Sequence, residues 1–150
     1  MTEMNSVSSK KGNDTRSNWL MFMFVSKCRY NVFRKRSTIN ACMAGFRELE
    51  AYGFEFGKFG FGGTHTHFAV NVPQKYSVLN AKIMLKSRAA KRIFMEKPNF
   101  RKLYPRGSFW SGYEHHQSFG ADAARAEKYI EEQAAHHNVQ IIEDVPSQIA

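Results

Sequence analysis

The segment from Phe54 to Val72 limits what this chain can fold into more than any other. Phe54 and Phe56, then Phe59 and Phe61, occupy alternate positions, Gly62-Gly63 interrupts them, and Phe68, Val70 and Val72 resume in a single phase until Pro73. Period two is the spacing of a strand that buries one face. Two glycines between two such runs signal a tight turn. The pattern predicts a β-hairpin, with strands over about 54–61 and 64–72. An isolated hairpin is marginal in water, so other elements of the chain must cover its apolar face.

The flanking segments supply that cover. Trp19 to Lys27 is aromatic and apolar enough for a buried strand, and Ile39, Cys42, Met43, Phe46, Leu49 and Glu50 show helical spacing that ends by Gly53. Ser77 can cap a helix running to about Glu96, with Val78, Ile83, Leu85, Ile93 and Phe94 as packing residues. Gly107 to Gln117 reads as a further strand, Gly120 breaks the chain, Ala121 to His137 is rich in Ala and Glu and predicts a helix, and Val139 to Ile142 predicts a short terminal strand. The order β-α-β-β-α-β-α points to an α+β class, a ferredoxin-like or RRM-like antiparallel sheet with helices on one face. Residues 1–17, polar and without periodicity, are expected to form a disordered leader, and residues 18–150 a single domain. Trp19 to Val25 is too short to span a bilayer, and no signal-peptide hydrophobic region precedes it, so a cytoplasmic location without membrane association is expected. Cys28 and Cys42 lack a CxxC spacing and are expected to be reduced packing residues.

Three features carry chemistry. In Thr64-His65-Thr66-His67-Phe68 the histidines are two apart on a predicted strand and so share a face. Thr66 is in phase with Phe68, Val70 and Val72, which puts the histidines on the side away from the helical core, an open position suited to a catalytic metal. On its own the pair is better read as two solvated or hydrogen-bonded histidines. Tyr129 and Gln133 are four apart on the last predicted helix, which aims a phenol and a carboxamide the same way; an amphipathic helix with a packed Tyr would look the same. The formal net charge is +9, and residues 82–106 hold nine basic residues against Glu96 alone. Lys82, Lys86, Arg88, Lys91 and Arg92, on one predicted helix, are therefore candidate phosphate contacts, as on a nucleic-acid-binding surface.

THTH at 64–67, VPQKYSVLNAKIMLKSRAAKRI at 72–93, FWSGY at 109–113 and YIEEQ at 129–133 together resemble the single-tyrosine HUH transposases of small, IS200-like insertion sequences, in family order from about Trp19 to Gln133. The resemblance implies a single-stranded DNA endonuclease and strand transferase of a prokaryotic cell. It implies that His65, His67 and Gln133 bind Mg²⁺ or Mn²⁺ and that Tyr129, on the C-terminal helix, is the nucleophile, forming a 5′-phosphotyrosine. It also implies a homodimer acting on hairpin-forming element ends. Two positions depart from the family pattern: Thr66 replaces a large apolar residue, and Thr64 an acidic one. Two other readings use some of the same residues. A noncatalytic RNA- or single-stranded-DNA-binding module would need no metal, and a metal-dependent hydrolase would need the histidines but not Tyr129.

Overall fold

A computed structural model describes residues 16–137 and 139–142. The expected leader lies outside the described residues except for Arg16 and Ser17. Five strands form one antiparallel sheet: β1 (Trp19–Ser26), β2 (Glu55–Phe61), β3 (His65–Asn71), β4 (Trp110–Gly120) and β5 (Gln140–Ile142). Their spatial order is β4-β1-β3-β2-β5. Three α-helices complete the fold: α1 (Arg36–Arg47), α2 (Val78–Glu96) and α3 (Ala123–His137). The strand order β4-β1-β3-β2, with α1 and α2 as the crossovers, is the ferredoxin-like arrangement that the sequence predicts.

The sequence explains where each element stops. Ser77 caps α2, its hydroxyl accepting from the Asn80 amide at 3.0 Å. Pro98, which lacks an amide proton, begins the turn that follows the helix. Gly45 sits inside α1, where glycine costs about 1 kcal/mol relative to alanine. A Cβ there would lie 2.6 Å from the Arg88 carbonyl oxygen and 2.7 Å from the Ala89 Cα, so the glycine is what lets α1 and α2 cross.

Helices α1 and α2 cover one face of the sheet with an aromatic core. Phe46 of α1 stacks on Phe59 at 6° and lies 4.6 Å, centroid to centroid, from Phe68. Removing such a buried ring costs about 3–5 kcal/mol. Trp110 belongs to this core, its indole nitrogen donating to the Lys86 carbonyl at 3.0 Å.

The other face is not bare. Trp19, Met21, Ala69, Phe119, Ala123, Ala126 and Ile130 form a second, smaller apolar cluster beneath α3. The two crossover helices α1 and α2 thus share one face, as expected, and the C-terminal helix α3 covers the other. Both phases of the Trp19–Val25 run are apolar, the mark of a strand covered on both sides. Cys28 also departs from expectation: it is exposed, with a left-handed φ of 62°, whereas Cys42 is buried and burial pushes its thiol pKa up.

Candidate active site

Thr66, Phe68 and Val70 of β3 point into the aromatic core, which turns His65 and His67 toward the α3 side. Thr66 is fully buried where a large apolar residue was expected, and its hydroxyl donates to the Gly60 carbonyl at 3.1 Å. That hydrogen bond satisfies a polar group whose unmet burial would cost about 1–3 kcal/mol. Thr64 stands where an acid was expected, with Oγ1 3.3 Å from Nδ1 of His65. When Nδ1–H is the donor in that contact, Nε2 is left bare for coordination.

The imidazole centroids are 4.9 Å apart at 83°, close enough to serve one ion. His67 is only 2% exposed and His65 is half-buried, so the expected open-faced pair is in fact largely covered. The Gly62-Gly63 turn makes room for it. A Cβ on Gly62 would lie 2.5 Å from Cε1 of His65. Among the described residues no three histidine, cysteine or carboxylate side chains converge, so a metal on this pair needs further ligands from a carboxamide, from water or from substrate oxygen. Such a mixed set fits a hexacoordinate divalent ion.

Tyr129 and Gln133 are both half-buried on α3, on the same side of the sheet as the histidines. The phenol ring packs on Phe119 of β4, 5.5 Å between centroids, and borders a cavity of about 410 Å³ with Gln117, Arg125, Lys128 and Glu132. Phe119 belongs to β4, and β1 lies between that strand and the histidine strand β3. The C-terminal end of α3 arrives elsewhere. Val139, which follows it, sits on Gly60, where a Cβ would be 2.7 Å from its Cγ1, and Gly60 pairs with His67. Glu127 and Glu131 of the same helix reach Gly57 and Lys58 of β2, while Tyr129 turns toward Phe119 of β4. Arg125 and Lys128 were not singled out in the sequence, although the i, i+4 spacing of Arg125 and Tyr129 places that pair on one side of the helix.

The five basic residues of α2 lie on the opposite face of the sheet. Glu114 of β4 pairs with both Lys82 and Lys86, Glu48 takes Arg88 at 3.2 Å and Arg92 at 2.9 Å, and Arg92 also pairs with Glu96. Lys91 is exposed. Burial alone would raise the Glu114 carboxyl pKa, but hydrogen bonds from Lys82 and Lys86 outweigh it and hold the group below its ordinary value. His115 and His116 face opposite sides, His115 beside Met23 and His116 beside Phe22, as adjacent strand residues must.

A family model described as "Transposase IS200 like" matches residues 15–133. The fold is similar to that of a candidate transposase from Deinococcus radiodurans R1, with a TM-score of 0.61 at 16% identity, over 78% of this chain and 91% of that one. It is also similar to a REP-associated tyrosine transposase bound to a REP hairpin, with a TM-score of 0.53 at 13% identity, over 81% of this chain and 68% of that one. No curated protein matches the chain.

Proposed function

The chain belongs to the IS200-like transposase family, and from that premise we propose that it cuts and rejoins single-stranded DNA through Tyr129, with His65, His67 and Gln133 holding a divalent metal. The observation that carries this reading is the shared face: histidine pair, phenol and carboxamide all lie on the α3 side of one sheet. A noncatalytic DNA-binding module would have no use for that arrangement.

Mg²⁺ or Mn²⁺, when bound, would supply Lewis-acid polarisation and a template for the scissile phosphate. The chain's own groups do the rest. The Tyr129 oxygen attacks phosphorus and loses its proton to base or solvent, a phosphotyrosine P–O bond forms, and the P–O bond to the DNA 3′-oxygen breaks. The departing 3′-oxygen takes up a proton. A second 3′-hydroxyl reverses these steps and joins a different strand, so the phosphodiester energy is conserved. Arg125 and Lys128, in the Tyr129 cavity, are placed to hold the phosphate charge.

Hairpin-forming DNA is the proposed substrate, by analogy with the hairpin-bound relative, and a homodimer the proposed working unit. Supporting the dimer, β4 is an 11-residue edge strand that pairs only with β1 among the described residues, which leaves its outer edge for a second copy. The cytoplasm is the proposed site of action, and no described helix is long and apolar enough to cross a membrane. DNA contact by Lys82, Lys86, Arg88 or Arg92 would have to compete with their carboxylate partners.

The test is incubation of labelled single-stranded hairpin DNA with Mn²⁺, followed by denaturing electrophoresis. Wild type should give a covalent adduct, lost in excess EDTA and in Tyr129→Phe, while Tyr129→Phe binds DNA as wild type does. An adduct that persists in Tyr129→Phe and maps to another tyrosine would overturn the nucleophile assignment.

A further inference from the structure

We propose that the hollow between the segment after β1 and the turn after α2 binds one unpaired nucleotide of the DNA strand beside the histidine site. The hollow has a volume of about 420 Å³, and Tyr30, Asn31, Arg34, Lys35, Lys97 and Phe100 are among its lining residues. That volume lies in the range of small-ligand pockets, about 300–1,000 Å³, and is far too small for a duplex.

Its chemistry suits a base with its phosphate. Residues 27–36 and 97–107 carry nine basic residues and no acid. The nearest carboxylate in sequence, Glu96, is engaged by Arg92. The charge concentrated in residues 82–106 is thereby split: the α2 cations are largely answered by Glu48, Glu96 and Glu114, whereas the loop beyond α2 has no acid of its own. Aromatic rings stand among these cations. Tyr30 is 39% exposed, its ring held edge-on by Tyr104 at 5.5 Å, and Phe100 is half-buried. Burial pushes the Tyr104 hydroxyl up to about 12, so it stays neutral beneath Tyr30. Rings that offer a face to a base, with cations for the phosphate, are the standard means of holding single strands.

Position ties the hollow to the reaction. The oxygen of Asn31, which lines it, is pressed against Gly63, where a Cβ would lie 1.7 Å away. The Phe33 amide donates to the Gly63 carbonyl at 2.9 Å. The adjoining Gly62 lies under the His65 ring. A strand leaving the histidine site therefore has only the Gly62-Gly63 turn to cross before reaching Tyr30.

The assignment rests on the single-stranded DNA reading above, and it is tested by binding rather than cleavage. Anisotropy of a short fluorescein-labelled oligothymidylate is measured with the full chain, without metal, over a range of salt. Tyr30→Ala should weaken binding about tenfold with no change in salt dependence, and Tyr30→Phe should restore it. Replacing Arg34, Lys35 and Lys97 together by Ala should flatten the logarithmic salt slope by about 2. Because Phe100 also packs against the core, Phe100→Ala is read only beside its circular dichroism, and Tyr30→Ala carries the decision. Wild-type affinity in Tyr30→Ala, or an equal loss on a duplex of the same length, overturns the proposal. Oligouridylate bound tenfold tighter than oligothymidylate would assign the hollow to RNA and overturn it equally. If the Tyr129 adduct forms but Tyr30→Ala binds normally, the hollow alone is rejected; if Tyr30 matters but no adduct ever forms, the strand-transfer reading fails instead.

Discussion

At the scale of single residues, the two departures from the family pattern are accommodated by hydroxyl chemistry. Thr66 ties β3 to Gly60 and Thr64 sits at Nδ1 of His65, so neither position leaves the histidine strand unanchored. Space is as exacting as bonding. Gly62→Ala would bring a methyl within 2.5 Å of the His65 ring and force it aside. Misplacing a reacting or ligating group by about 1 Å costs on the order of a hundredfold in rate. Gly62→Ala should therefore lower adduct formation by about that factor while the thermal midpoint stays near wild type, and a full rate in the purified variant would show that His65 does not need its present position. This constraint was hidden in the sequence, where Gly62-Gly63 reads only as a turn.

Among the elements, those with one strong period were legible and those serving two surfaces were not. Ser77 caps α2 and the helix ends at Glu96 as expected, and the period-two phenylalanines give β2 and β3. β1 carried its warning openly, since Trp19, Met21 and Met23 are as apolar as Leu20, Phe22 and Phe24, yet periodicity cannot say which element covers the second face. The ion pairs of the basic stripe on α2 were illegible for a related reason: its carboxylate partners Glu48 and Glu114 are far off in sequence. The α2–β4 bridge also sets a pH dependence. Because the folded Glu114 pKa is depressed, its contribution to stability is present above the unfolded carboxyl value and is lost as pH falls through the folded one. Glu114→Gln should accordingly flatten the loss of thermal stability below about pH 4.5. Identical acid limbs for wild type and variant in calorimetry would rule the bridge out as a source of stability.

For the whole molecule, the distance between Tyr129 and the histidine strand bears on how two chains share the work. With β1 lying between β4 and β3, the phenol packs on the edge strand that could meet a second copy and not on the histidine strand of its own chain. Gly120 joins β4 to the segment before α3 with a φ of 58°, a backbone joint that glycine adopts readily. If the tyrosine serves the partner's histidines, mixing Tyr129→Phe with the His65→Ala, His67→Ala double variant should restore adduct formation, because each heterodimer holds one complete site. Subunit exchange demonstrated with differently tagged chains, without any adduct, would place the tyrosine in its own subunit's site. The division of the molecule into two apolar clusters bears on the same motion. The aromatic cluster joins α1, α2 and the sheet, while α3 is held through the smaller one by Ala123, Ala126 and Ile130. Helix α3 thus packs through the smaller cluster and not through Phe46 or its stack. In hydrogen-exchange terms, its amides should open at a free energy well below that of β1, making the helix with the nucleophile a separate low-stability unit in an otherwise cooperative fold.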